Sequence, residues 1–91
     1  MTIRKRGDWL SARIDDEILM MSAENGLYLG LRDVAARIWE LLDTEHDADR
    51  LCAALEREFA VSPETCRAEL DVFLDELVRH GAIEIVPRAG A

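Results

Sequence analysis

Little in this 91-residue chain suits covalent chemistry, metal binding or membrane insertion. Cysteine occurs only as Cys52 and Cys66 and histidine only as His46 and His80, without the spacings that gather a metal. Both thiols fall at apolar positions of helical patterns, so small buried hydrophobes are expected rather than a disulfide or a nucleophile. His80, directly before Gly81, suits the carbonyl end of a helix. Glycine-rich phosphate loops are missing, as is any Ser-His-Asp or Cys-His arrangement. No apolar run approaches the roughly 20 residues that span a bilayer. The basic start "MTIRKRGDW" is not followed by an apolar signal core. The expectation is a cytoplasmic, non-catalytic domain with no metal and no cofactor.

Positive charge is also scarce. Eleven basic residues face nineteen acidic ones, a net charge of −8, and Arg4, Lys5 and Arg6 stand together at the start. A surface of that sign repels phosphate backbones, since nucleic-acid affinity comes largely from Lys and Arg displacing counterions. It favours solubility and steers basic partners. Acidic pairs such as Asp15-Asp16 and Asp75-Glu76 read as solvated turn and helix positions.

What is present is periodicity. "WLSARID" alternates, with Leu10, Ala12 and Ile14 on one face. "DDE" turns the chain into the apolar "ILMMSA". "ENG" follows, with Asn25-Gly26 suited to the positive-φ positions of a tight hairpin. In the next strand Leu27, Leu29 and Leu31 share a face and Tyr28 points away. The remainder has helical spacing. The first helix is expected from about Arg32 to Leu42, with Ala35, Ile38, Leu41 and Leu42 inward and Arg37 and Glu40 toward water. A second carries Leu51, Cys52, Leu55 and Phe59 and is capped by Asp47 or Asp49. "VSPE" starts a third, with Ser62 as cap and Pro63 in the first turn, ending near Arg79-His80 before Gly81. "AIEIV" is then a short strand or packed tail.

These elements predict one α+β domain over residues 1–91, a winged-helix-like βββααα order in which a three-stranded antiparallel meander precedes three helices. Residues 1–7 and 87–91 are expected to be flexible. A winged-helix shape suggests DNA, but the third helix holds five acidic residues and only Arg67 and Arg79 as permanent cations, so charge outweighs shape.

Without convergent reactive groups, a binding module remains. The third strand of the meander has an edge with neither proline nor charge over Leu27–Leu29, and extended peptides add themselves to such edges. On the third helix, Cys66, Leu70, Phe73 and Leu77 form the core stripe, flanked by Arg67, Asp71, Leu74 and Val78. By periodicity alone that flank is better explained as core margin with solvated charges than as the rim of a groove. Trp39 is expected to pack the first helix on the sheet, and Trp9 either to pack or to stand exposed.

The stretch "GLYLGLRDVAARIWELLD", with "DDEILMMSAEN" before it and "VSPETCRAELDVFLDELVRHGAI" later, resembles the family named for the D protein of pyrroloquinoline quinone biosynthesis. Members run Gly-x-Tyr-x-x-Leu-[Asn/Asp]-x-x-[Gly/Ala]-x-x-Ile-Trp-x-Leu-Leu. Gly26, Tyr28, Leu31, Ala35, Ile38, Trp39, Leu41 and Leu42 fill those places, over a similarity spanning about Ile14 to Ile85. Arg32 departs from the usual Asn or Asp, which touches helix capping more than function.

The resemblance implies a RiPP recognition element, which binds the leader of a ribosomal precursor peptide antiparallel to the third strand and against the third helix. It is most like the separate leader-binding protein of split lasso-peptide systems, which presents its leader to a cysteine-protease subunit. The implied peptide-binding residues are Leu27, Tyr28, Leu29, Gly30, Arg67, Leu70, Asp71, Leu74 and Val78. Leu29, Leu74 and Val78 would line a pocket for the rings of a Tyr-x-x-Pro element. The alternative within the family is a quinone-pathway chaperone serving a radical-SAM enzyme. Outside it stand a winged-helix regulator and a purely structural subunit.

Overall fold

Turn residues at 15–16 and 23–26 divide the alternating first third of the chain into strands, and the capped helices follow. The computed structural model describes residues 2–87. Its order is β1 (Thr2–Lys5), β2 (Leu10–Ile14), β3 (Glu17–Ser22), β4 (Leu27–Arg32), α1 (Asp33–Leu41), α2 (Ala48–Glu58), α3 (Pro63–Arg79) and β5 (Ile83–Val86). β2, β3 and β4 form the expected antiparallel meander, so the third strand of the sequence reading is β4.

Two features depart from expectation. Residues 2–5, expected to be flexible, form β1, which pairs antiparallel with β5 from Thr2↔Val86 to Lys5↔Ile83. Ile3 is completely buried, and its backbone N–H donates to the His46 carbonyl (2.9 Å). The His46 ring answers, with Nδ1 3.0 Å from the Ile3 carbonyl. Lys5 reaches Asp43 at 2.6 Å and lies 4.0 Å above the Trp39 ring. Pro87 follows β5, and the rest of the tail lies outside the described residues.

The β3–β4 connection is also not a two-residue turn. Ala23 to Gly26 form a four-residue loop in which only Gly26 takes a positive φ (63°). Asn25 is used for its side chain instead. Its Nδ2 donates to Ser22 Oγ (3.2 Å) and to the His80 carbonyl (3.4 Å). Ser22, a buried polar residue, donates its hydroxyl to Asp8 and accepts from the Asn25 backbone (3.2 Å). The second Asp8 oxygen accepts from the Glu24 N–H (3.0 Å). The Ser22 hydrogen bond, and then the Glu24 N–H, hold the Asp8 pKa below its ordinary value.

The helices are capped from the sequence. Asp47 accepts from Arg50 N (3.1 Å) and Ser62 from Thr65 N (3.2 Å), each worth about 1 kcal/mol. Gly81 closes α3 at φ 75°. α1 lacks such a cap: Arg32 makes no capping hydrogen bond, and Asp33 starts the helix at φ 51°, a left-handed conformation that costs a side chain about 1 kcal/mol. Its buried stripe is Ala36, Ile38, Trp39 and Leu42, slightly rotated from the expected one, with Ala35 and Leu41 half-buried. The stripe lies on β3 and β4. α2 packs between α1 and α3, and α3 also packs on β5.

Three outcomes test this account. Ile3→Ala should lower unfolding free energy by about 2–5 kcal/mol in urea titration, whereas a flexible terminus would give no change. Asp33→Gly should raise the urea midpoint and Asp33→Val lower it, since only the first relieves the left-handed strain. A carboxylate with a depressed native pKa stabilises the fold above its unfolded pKa of about 4, and that stability is lost as pH falls through the lower native value. The stability gap between the wild type and Asp8→Asn should therefore be full at neutral pH and close on acidification.

Candidate functional site: the β4 edge and the flanks of α3

β4 pairs on one side with β3, from Glu17↔Arg32 to Ser22↔Leu27, and among the described residues nothing pairs with its other side. Its backbone groups there are open to an added chain. Along the strand, Leu27 and Leu29 are half-buried and Leu31 is buried, all on the face backed by the helices. Tyr28 (80% exposed) and Gly30 face outward. A Cβ at Gly30 would meet only Leu19 at 3.8 Å, an ordinary contact. Sterics inside the chain do not demand glycine there; its effect is to leave bare backbone at the middle of the edge.

The start of β4 is fastened to the end of α3. Trp9 Nε1 donates to the Gly81 carbonyl (3.3 Å), beside the Asn25–His80 contact. Trp9 is thus half-buried against the core, one of the two placements expected for it. Trp39 is buried in the core with α1 against the sheet, but its indole N–H has no acceptor among the described residues.

On α3 the expected residues divide. Leu70 has no exposed surface and Leu74 is 2% exposed. Both belong to the core cluster beneath the helix surface. Arg67 is fully engaged, with Nε on Asp71 Oδ1 (3.1 Å) and Nη1 on Asp49 Oδ1 (2.9 Å) in the first turn of α2. The opposite flank of α2 holds Glu58, which accepts from Arg37 of α1 (2.8 Å). α2 therefore sits between its neighbours, and the Arg67–Asp71 flank of α3 is the one turned toward α2. Val78, 42% exposed, shares that side by helical spacing.

The other flank of α3, turned away from α2, carries a shallow apolar hollow of about 330 Å³. Ala68, Val72 and Phe73 form its floor, with Glu69 and Glu76 beside them. Val72 is 63% exposed and Phe73 half-buried. Sequence reasoning assigned Phe73 to the core and passed over Val72. The signal available was Val72 itself, an apolar residue off the core stripe with no structural need to be apolar.

Burial pushes the Cys52 thiol up to about 11, reinforced by the neighbouring Cys66, so it stays protonated at neutral pH. Among the described residues no three His, Cys, Asp or Glu side chains are grouped to hold a metal. No helix among them is long and apolar enough to cross a membrane.

This architecture has known relatives. TbiB1, solved in complex with the TbiA(beta) leader peptide, superposes with a TM-score of 0.85 at 29% identity, covering 93% of this chain and 99% of that one. A lasso peptide synthetase B1 complexed with its leader peptide shares the fold, with a TM-score of 0.79 at 23% identity over 91% of this chain and 98% of that one. No curated protein sequence matches. The model of the coenzyme PQQ synthesis protein D family matches residues 17–83, which hold β3, β4, all three helices and the start of β5. The chain belongs to the PqqD family.

Proposed function

We propose that this protein is a non-catalytic RiPP recognition element. It captures the leader of a ribosomal precursor, of the lasso-peptide kind, and presents it to a separate cysteine-protease subunit in the cytoplasm. The observation that carries the reading is the unpaired, uncharged edge of β4 in a fold that matches TbiB1 over nearly its full length. A leader added antiparallel to Leu27–Gly30 satisfies the open N–H and C=O groups of the edge, which gives affinity with little regard to sequence. Alternate leader side chains then point inward, past Leu27 and Leu29, and outward, beside Tyr28 and Gly30.

Specificity requires a second wall. Arg67 is already committed to both Asp71 and Asp49, so recruiting this flank to a ligand would cost two charge-assisted contacts. The opposite flank breaks no such contact: Val72 is exposed and Phe73 half-buried, and both line an apolar hollow. The reading therefore keeps Leu27, Tyr28, Leu29 and Gly30 as the receiving strand. The rings of a Tyr-x-x-Pro element fall to Val72 and Phe73, Leu70 and Leu74 support the helix from below, and Arg67 and Asp71 fix it to α2.

The leader distinguishes the lasso pathway from the quinone pathway, since each precursor has its own. Titration with a synthetic Tyr-x-x-Pro leader, followed by amide NMR, should shift residues 27–31 and 68–76. Val72→Glu should weaken binding by about tenfold or more, while Arg67→Ala changes it by about twofold at most. The reverse ranking would return the groove to the α2-facing flank. Shifts only on addition of duplex DNA would end the leader reading.

A further inference from the structure

The outer face of the β2–β3–β4 sheet is apolar where it should be polar. Directly paired residues project to the same side of a sheet. Pairing therefore sets Leu10, Met21 and Tyr28 in one row, Ala12, Leu19 and Gly30 in the next, and Ile14, Glu17 and Arg32 in the third. Exposure is 68% for Leu10, 52% for Ile14, 45% for Leu19, 46% for Met21 and 80% for Tyr28. The helices lie on the other face, and every residue of β2 is exposed. Contiguous apolar patches beyond a few hundred Å² are uncommon on monomers and mark interaction surfaces.

Charge frames this patch without entering its first two rows. At one end lie Asp15 and Asp16 of the β2–β3 turn, with Glu17 neutralised by Arg32 (2.6 Å). At the other lie Asp8 and Glu24, beside a hollow of about 240 Å³ whose walls include Asp8, Leu10, Met21 and Tyr28. The complementary surface is apolar at its centre and basic at both ends.

The patch also runs without a break into the β4 edge. A strand added there extends the same face, because every second residue of the added chain points outward beside Tyr28. Whatever rests on the patch touches this protein and the captured peptide together. We propose that the outer sheet face is the docking surface for the peptidase that cuts the captured precursor, and that this peptidase meets it with an apolar patch rimmed by Lys or Arg. The inference rests on the leader-binding reading. It adds a coupling: a bound leader enlarges the surface offered to the peptidase, and by linkage the peptidase tightens leader binding by the same factor.

The test uses the full chain carrying Leu10→Lys and Leu19→Lys, both away from the β4 edge and both exposed enough to leave the fold intact, as a thermal melt verifies. Anisotropy of a labelled synthetic leader should change by about twofold at most, while affinity for the purified cysteine-peptidase subunit encoded alongside it, and leader cleavage by that subunit, should fall by about tenfold or more. Hydrogen exchange on the wild type, independent of any substitution, should show residues 10–14 and 17–22 protected when the peptidase is added. Undiminished peptidase binding by the variant, or protection confined to α2, overturns the proposal. So does a wild-type dimer that the variant abolishes, because the face then belongs to a second copy. Failure of the wild type to bind leader at all sinks the leader reading itself, an outcome distinct from leader binding with unaltered peptidase coupling.

Discussion

Backbone N–H and C=O groups must be paired or wet, and β4 is an edge strand that, among the described residues, has a strand partner on one side only. An open edge is a hazard, because any extended chain can complete it. β2, the other edge of the meander, shows the ordinary defences. It is exposed on both faces and carries Arg13, drawn aside to Glu40 of α1 (2.9 Å). β4 has neither a charge nor a proline from Leu27 to Leu31, and its inward face is backed by α1. An edge both open and rigidly supported suits an added strand, and the packing behind it holds that edge in place.

The support comes from three directions. Behind β4, Ile38, Trp39 and Leu42 of α1 bury against the sheet. At its start, Asp8, Ser22 and Asn25 form a hydrogen-bonded knot that extends to the His80 carbonyl at the end of α3. At its end, the chain passes straight from Arg32 into α1 through the left-handed Asp33. That residue carries strain because no loop separates strand from helix. Inserting a loop would relieve the strain, but would also free the end of the receiving strand.

How much of this was legible in the sequence depends on the range of the interaction. Caps and short turns are decided by neighbours: Asp47, Ser62 and Gly81 act where their spacing placed them. The meander was legible too, because "WLSARID" and "LYLGL" alternate with period two and polar turns separate them from the apolar strand between. The β1–β5 pair was not. Each strand is four residues long and its partner lies some eighty residues away, so "TIRK" reads as a basic tail until Ile3 is seen buried beneath His46. The Asn25-Gly26 pair misled for a related reason. Its positive-φ potential is local, but Asn25 is held by Ser22 and His80, a partner 55 residues away. The surroundings of α3 were not legible either, for a reason of geometry rather than of chemistry. A helical wheel finds two flanks but cannot say which one α2 covers. That follows from Arg67 meeting Asp49, a contact between helices whose order of packing no periodicity encodes.

Charge settles what shape leaves open. The same arrangement of helices and hairpin can lay a recognition helix into a DNA groove, and for that α3 would have to present cations. Its permanent cations are Arg67, spent on Asp71 and Asp49, and Arg79, 3.7 Å from Asp75. The flank turned away from α2 bears Glu69 and Glu76. Phosphate approaching this helix would meet carboxylates at every turn, and no counterion release would offset the repulsion. A peptide has no such difficulty. Its backbone is neutral, a ladder on β4 and apolar contacts would supply its affinity, and the acidic flanks would favour a leader or a partner carrying Lys or Arg. The outer sheet follows the same logic, with apolar rows at its centre and acids at its ends. One sign of charge on both surfaces makes added salt informative: it should slow association on each while leaving the strand ladder, which carries no charge, to set the rate of release.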